Sequence, residues 1–412
     1  MTTPVCNIMK YSYICSLETE FMEAFYRTHN YLVEHTNAPV RRDLMDEIDW
    51  NDRLIGIKGT RGVGKTTFLL QYAKEKFGTD RSCLFVNMNN FYFSQYSLVD
   101  FAGEFVKRGG KVLLIDQVFK LPDWSHDLRT CYERYPQLKI VFTGSSVMRL
   151  KDENPELNGI VKSYNLRGFS FREFLNLKCG TELNSYSLNE LIQHQNEIVD
   201  DICSKVNPMD YFEEYLHHGF YPFFLENRNY SENLVKTVNM MLEVDILLIK
   251  QIELKYLSKI RKLLYILTGE APCGPNVSQL SVEIETSRAT IMNYIKYLKD
   301  ARLLNLLYNP GEEFPKKPRQ IFVQNTNLMH ALYPDKVDKT ALYQTFLYNA
   351  LHAKHKINAG RKANDFLVDQ DLHFKYDDEQ IHKATARSYY ATSQLRGNGK
   401  NLIPLWLLGF LY

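Results

Sequence analysis

No stretch of the 412 residues approaches 18 consecutive apolar side chains, so no membrane-spanning helix is expected. The opening Met1-Thr2-Thr3-Pro4-Val5-Cys6 lacks a charged segment followed by an apolar core, which argues against a signal peptide. The seven cysteines form no C-x-x-C pair. That removes a thiolate metal framework and fits a protein of the reducing cytoplasm. Charge is nearly balanced at +2, so net charge gives no argument for or against nucleic acid. Internal repeats and long low-complexity linkers are also missing. What remains is an ordinary globular composition, 45% hydrophobic, at a length that suggests two to four domains. The many Tyr and Phe are read mainly as packing residues.

Against that plain background, Gly59 to Thr67 reads Gly-Thr-Arg-Gly-Val-Gly-Lys-Thr-Thr, a complete G-x-x-x-x-G-K-[ST] phosphate loop. Gly59, Gly62 and Gly64 let the backbone curl so that amides of the loop, from Arg61 and Val63 through Thr67, point at phosphate oxygens. Lys65 reaches the β- and γ-phosphates in such a loop, and Thr66 supplies a hydroxyl to Mg²⁺. The context fits. An apolar run, 54–57, precedes the loop, and helix-compatible spacing follows it from Thr67. Downstream, Val112-Leu113-Leu114-Ile115-Asp116 is an apolar strand ending in a carboxylate suited to Mg²⁺. Gln117 comes next, where ATPases with an extra central strand usually carry Glu. An amide cannot take a proton from water, and losing a general base typically costs ~10²–10⁴ in rate. Gln117 retains the capacity to orient water. A third strand, 139–142, leads into Thr143-Gly144-Ser145-Ser146, and Ser145 is the polar tip residue assigned to the γ-phosphate or the water.

Residues 1–50 are expected to be helical, with Phe21, Phe25 and Tyr31-Leu32 as the apolar stripe of a helix over 18–33 that docks on the nucleotide domain. Residues 51–175 alternate strand and helix, which predicts an α/β parallel sheet covered on both faces, with ligand at the carboxyl ends of its strands. Residues 176–265 read as a helical lid or linker, with helices over 189–205 and 233–249. Residues 266–325 read as a winged helix: helices over 278–284 and 288–301, the second capped by Ser287, then wing strands at 304–308 and 320–323. Arg288, Asn293, Lys296, Lys299 and Arg302, with Lys316, Lys317 and Arg319 of the wing, are the residues assigned to DNA phosphates. Residues 326–412 open with a helix over 340–355, continue with strands at 366–368 and 373–376, and end in an apolar segment, 402–412, expected to be a buried strand.

The segments GTRGVGKTT, LLIDQVFKLPDW, IVFTGSS and LRGFSFREFL, in this order and spacing, resemble prokaryotic AAA-type ATPases of the archaeal-ATPase-like group. YLHHGFYPFF and IPLWLLGFLY extend the resemblance over most of the chain. It implies a RecA-like P-loop αβα sandwich, then a helical region, a winged helix and a small C-terminal domain like restriction endonucleases of the PD-(D/E)XK type. It implies ATP and Mg²⁺ as cofactors, held by Gly64, Lys65, Thr66 and Asp116. The chain departs from the family at Gln117. It departs again at Gly159, which is followed by Ile160 where a Gly-Arg pair is common, leaving Arg167 and Arg149 as candidates for the charge-neutralising arginine. In the nuclease-like part Asp365 matches the first metal-binding acid, but Lys375 stands at the second and Gln344 where relatives tend to have Glu. One carboxylate is a poor site for a hard divalent cation, so this domain is expected to be inactive.

The leading expectation is an ATP-binding protein whose hydrolysis is slow or partner-activated and whose nucleotide state arranges the domains that follow. The alternatives are a DNA-binding regulator or scaffold with structural ATP, and an active ATP-coupled nuclease. DNA, a protein partner and a second copy of the chain are the candidate partners beyond the nucleotide.

Overall fold

The strand Leu54–Gly59 (β1) is apolar over its first residues and buried along them, as a central parallel strand must be. The computed structural model describes residues 4–412 except 149, 151–153, 227–228, 335–336, 363, 379–385, 398 and 400. Two compact units emerge, one running to Gly59 and from Gly64 to Leu166, the other comprising Thr60–Val63 with Arg167–Tyr412.

In the first unit β1 is joined by β2 (Cys83–Asn87), β3 (Val112–Asp116), β4 (Lys139–Ser145) and β5 (Lys162–Asn165). All pairings are parallel and the order is β2-β3-β4-β1-β5. β4 thus lies between the strand that feeds the loop and the strand that ends in Asp116. It runs three residues beyond the expected 139–142, because Lys58 and Gly59 continue the ladder opposite Gly144 and Ser145. β5 was not foreseen; its Lys-Ser-Tyr-Asn sequence has no apolar run, which an edge position tolerates.

The helix Pro4–His35 buries Met22, Phe25, Tyr26, His29 and Val33. This stripe is rotated from the expected one, since Phe21 and Tyr31 are exposed. The reason is spacing: residues 22, 25, 26, 29 and 33 share a face at 3.6 per turn, and the larger rings at 21 and 31 fall outside it. His29 accepts a hydrogen bond from the Phe85 amide at 3.0 Å and so fastens the helix to β2.

The second unit begins with helices through Lys250. The expected helix over 189–205 is two, Leu188–Gln193 and Gln195–Lys205, meeting at His194. The expected 233–249 helix is interrupted by a π-helical turn, Met241–Ile246. The helix Leu257–Glu270 is followed by an antiparallel bridge between Cys273 and Ile321, the helices Val277–Glu283 and Arg288–Asp300, and the antiparallel strands β6 (Leu304–Leu307) and β7 (Gln320–Val323). Ser287 caps the second of those helices by accepting from the Thr290 amide, as its sequence position requires.

After the helix Lys339–Leu351 a second sheet takes the order β12-β11-β10-β9-β8, formed by Ile357–Ala359 (β8), Asp365–Val368 (β9), Leu372–Tyr376 (β10), Ser388–Thr392 (β11) and Leu402–Pro404 (β12). The expected final strand over 402–412 stops at Pro404 and turns into a 3₁₀ helix, Leu405–Phe410. All six of its residues are buried, a pattern that a strand with one wet face cannot provide. Among the described residues no helix is long and apolar enough to cross a membrane.

Candidate functional site

β1 delivers the loop, and the loop delivers a helix. Gly62 and Gly64 adopt φ of +80° and +91°, left-handed values that side chains rarely take. Gly64 is the N-cap of Lys65–Lys76 and, lacking a side chain, leaves the first-turn amides uncapped by one. A helix start of this kind attracts anions through its free N–H groups and its dipole. The Lys65 ammonium folds back to donate to the Gly59 carbonyl at 2.9 Å. Val63 is buried, while Thr66 and Thr67 are exposed.

Asp116 lies at the end of β3, 1% exposed. Three side chains donate to it. Thr66 Oγ1 reaches Oδ2 at 2.9 Å, Asn87 Nδ2 reaches the same oxygen at 3.0 Å, and Thr143 Oγ1 reaches Oδ1 at 2.6 Å. The two residues expected to share Mg²⁺ are therefore in direct contact. Register explains the other two. Asn87 stands opposite Asp116 in the β2–β3 ladder, and Thr143 follows Phe142, the partner of Ile115.

Gln117 adopts φ 57°, ψ 46°, uncommon for a residue with a Cβ. Its amide donates to Thr143 Oγ1 at 2.9 Å, so one hydroxyl holds both Asp116 and the turn that presents Gln117. The Gln117 side-chain amide makes no hydrogen bond among the described residues. Ser145, assigned to the γ-phosphate, is 3% exposed, and its Oγ accepts from the Val147 amide at 3.4 Å. Thr143 and Asn87 were not assigned to the site. The only signal for them was position, each being a polar residue at the carboxyl end of an apolar strand.

The loop apex belongs to the second unit. There Arg61 donates from Nε and Nη2 to Asp245 Oδ1, at 3.2 and 2.9 Å. Of the arginines proposed to neutralise charge, Arg167 donates to the His352 carbonyl at 2.7 Å and lies over the Tyr412 ring, while Arg149 is outside the described residues.

The residues assigned to DNA phosphates divide. Arg288, Asn293, Lys299, Lys316 and Lys317 are exposed. Arg302 is only partly exposed, and burial, reinforced by the Arg167 charge, pulls its pKa down to about 10. Arg319 donates to the carbonyls of Gly360 and Arg361 in the second sheet's loops, and Lys296 sits over the Phe314 ring. The assignment of Arg302 and Arg319 to phosphates is therefore corrected, since both face protein.

In the C-terminal sheet Asp365 pairs with Lys375 across β9 and β10. Its carboxylate binds His373 Nδ1 at 3.0 Å and accepts from the Arg361 amide at 3.0 Å, and Lys375 is bonded to Asp377 at 3.0 Å. Gln344 is buried on the helix Lys339–Leu351.

Residues 51–175 match a family profile described as an AAA domain, and residues 209–338 match a domain of unknown function (DUF8612). An uncharacterized protein of Methanocaldococcus jannaschii is 25% identical over 299 residues, covering 68% of this chain and 62% of that relative. The alignment thus spans less than two thirds of the relative's length. Among solved structures, AMPPCP-bound DnaA from Aquifex aeolicus gives a TM-score of 0.25 at 12% identity, covering 63% of this chain and 86% of that one. C. elegans PCH-2 gives 0.23 at 14% identity, covering 69% and 67%. TM-scores this low leave the assignment to rest on the parallel sheet, the loop and the matched profile. By those, residues 51–175 form an AAA-type nucleotide-binding domain.

Proposed function

We propose that this protein binds ATP with Mg²⁺ and hydrolyses it slowly, or on activation by a partner, and that nucleotide state governs the arrangement of the domains after residue 175. The observation that carries the reading is the contact of Thr66 with Asp116 beneath a loop whose glycines already hold left-handed φ. Oxygens bound cis to Mg²⁺ at about 2.0–2.1 Å lie about 2.9 Å apart in an octahedron. Thr66 Oγ1 and Asp116 Oδ2 are 2.9 Å apart, so the pair fits a shared cation. That cation, when bound with the nucleotide, offsets charge on the β- and γ-phosphates. The protein's own part is to hold Asp116 through Asn87 and Thr143 and to present Gln117 at the strand tip. Gln117 orients water without deprotonating it, which makes slow turnover the expected behaviour.

The order helix, bridge, two helices, strand, loop, strand over 257–323 supports the winged-helix reading of that segment. The capture of Asp365 by His373 and the placement of Lys375 opposite it support an inactive nuclease-like end. The exposed Arg288, Asn293 and Lys299 along one helix keep a DNA-binding scaffold as the second reading.

The test is calorimetric titration of the full chain with ATP and Mg²⁺, alongside phosphate release. Binding that is lost in Lys65→Ala, with turnover well below one per second, is expected. A wild-type chain that binds no nucleotide, or binds equally well without Lys65, sinks the proposal.

A further inference from the structure

Three imidazoles meet where two helices of the second unit touch. His217 and His218 close the helix Met209–His218, and His330 lies on the helix Thr326–Leu332. Among the described residues these are the first and last helices of the 209–338 segment that matches the domain of unknown function. His217 Nδ1 stands 3.2 Å from His218 Nδ1, and the His217 ring lies 4.6 Å from the His330 ring, tilted by 34°. His217 is thus the middle ring of the three. One helical turn before His330, Asn327 donates to the carbonyls of Tyr215 and Leu216 and accepts from the Phe220 amide. Positions 327 and 330 share a helix face, so the carboxamide and the imidazole fasten the same end of Met209–His218. Among the described residues no group of three His, Cys, Asp or Glu is set to hold a metal ion.

A contact between two Nδ1 atoms has room for one hydrogen. One ring donates it and the other must offer a lone pair, so the pair tolerates a single imidazolium but not two. The acids around the rings are shared with lysines. Glu214 binds His218 Nε2 at 3.1 Å and Lys178 of the helix Phe171–Cys179 at 2.6 Å. Glu213 accepts from the Tyr343 hydroxyl at 2.7 Å and pairs with Lys339 at 3.4 Å, both on Lys339–Leu351. Tyr230 contributes a phenol ring 5.7 Å from His218. Burial and then the His218 charge lower the pKa of His217; burial and then the His217 charge lower that of His330 to about 4, with Glu213 opposing. Unfolded histidine titrates near ~6.5, so the closed junction is favoured in full above that pH and loses its advantage as pH falls.

We propose that this junction is a proton-operated latch: with its outer and middle imidazoles neutral it ties the two ends of the 209–338 segment together, and with His217 and His330 protonated it parts and frees the link Gly219-Phe220-Tyr221-Pro222. The ligand is the proton, and the latch lies wholly within the second unit, independent of the nucleotide reading.

Hydrogen exchange of the full chain, normalised for the intrinsic pH dependence of amides, is read at pH 7.5 and 5.5 in peptides covering 209–222 and 326–333. The helix Leu257–Glu270 of the same unit is the internal reference. One imidazole held at about 4 in the closed junction, and titrating near ~6.5 once it opens, gives about a tenfold loss of protection between those pH values. A loss of that size is expected, with the junction exchanging ahead of the reference helix at the lower pH. His330→Gln removes the loss, and His217→Gln, which takes away the middle ring, at least halves it. Equal exchange in junction and reference helix at the lower pH reports global unfolding and overturns the proposal. So does junction protection that acid leaves unchanged, or a full loss retained in His330→Gln. Should His330→Gln not melt cooperatively at neutral pH, His217→Gln decides, and an undiminished loss there is fatal.

Discussion

Replacing Thr143 by Val removes one oxygen and leaves two buried groups without it. The hydroxyl is 0% exposed, donates to Asp116 Oδ1 at 2.6 Å and accepts from the Gln117 amide at 2.9 Å. Valine has nearly the same shape, so little cavity forms, and the loss is almost wholly polar. An orphaned buried donor or acceptor costs about 1–3 kcal/mol, and more when it carries charge. Two such groups give about 2–5 kcal/mol for the first unit. Urea denaturation followed through Trp50, which stacks on Tyr72 in that unit, reads the loss as a lowered midpoint. Thr143→Ser keeps the hydroxyl and is expected to lose only about 1 kcal/mol, for one methyl group. The same variants are titrated with Mg²⁺ at fixed ATP. With Oδ1 no longer tied down, the carboxylate can turn away from Thr66, and half-maximal binding shifts to higher Mg²⁺ in the Val variant only. A Val variant within about 0.5 kcal/mol of wild type, the usual scale of an inconsequential change, would refute the claim that this hydroxyl organises the site.

Four further outcomes follow from the same contacts. Gln117→Glu restores a proton acceptor and should raise ATP turnover by ~10²-fold or more in a phosphate-release assay; unchanged turnover with intact binding counts against a missing base. Asn327, 1% exposed, accepts from the Phe220 amide and the Tyr230 hydroxyl and donates to the carbonyls of Tyr215 and Leu216. Asn327→Ala should cost the second unit about 3–5 kcal/mol by calorimetry, and an unshifted transition contradicts this. Burial lowers the pKa of His29; at His330 burial and then the His217 charge lower it to about 4, and at His352 burial followed by Arg167 and Arg302 lowers it to about 3. Unfolded histidine titrates near ~6.5, so their stabilising contribution is complete above that pH and falls below it, by up to about 1.4 kcal/mol per pH unit for each; denaturation midpoints flat from pH 7 to 5 would be inconsistent with it. If the helix Arg288–Asp300 and the segment between β6 and β7 meet duplex DNA, discounting Arg302 and Arg319, which face protein, leaves at most five cations, and the slope of log K against log salt should be no steeper than about −4.5.

The first unit was legible because its strands are short, continuously apolar and punctuated. Leu54–Gly59, Cys83–Asn87 and Val112–Asp116 are buried on both faces, and their alternation with helical segments is what points to a covered parallel sheet. The loop was legible because phosphate geometry fixes its spacing. β5 was not, since Lys162–Asn165 is an edge strand whose pairing with β1 compensates for an unremarkable sequence. The π-turn was also hidden. Met241–Ile246 carries no glycine or proline to mark the change of helix type, so a window over 233–249 reads as one helix. The closing segment misled for a different reason. Apolar content shows that Leu405–Phe410 is buried, but when every residue is apolar the period of 2 or 3 that separates strand from helix cannot be seen.

The site divides along a similar line. Residues that touch phosphate or cation are constrained by the ligand and announce themselves as a motif. Residues that hold those groups are constrained only by where the fold brings them. Thr143 and Asn87 reach Asp116 because β4 and β2 flank β3 in a parallel ladder, a fact of strand order and not of spacing along the chain. Asp245 lies 184 positions from Arg61 and meets it through the turn that carries it. The carboxylate at 116 is read from the strand it ends, but its three donors, the left-handed backbone at Gln117 and the acid on Arg61 are seen only in the folded chain. Since Asp116, Thr143 and Asp245 are all nearly inaccessible, their charges and dipoles act in a medium far less polar than water. Small changes at Thr143 and Asn87, which hold Asp116, should therefore move nucleotide affinity and turnover as strongly as changes in the loop itself.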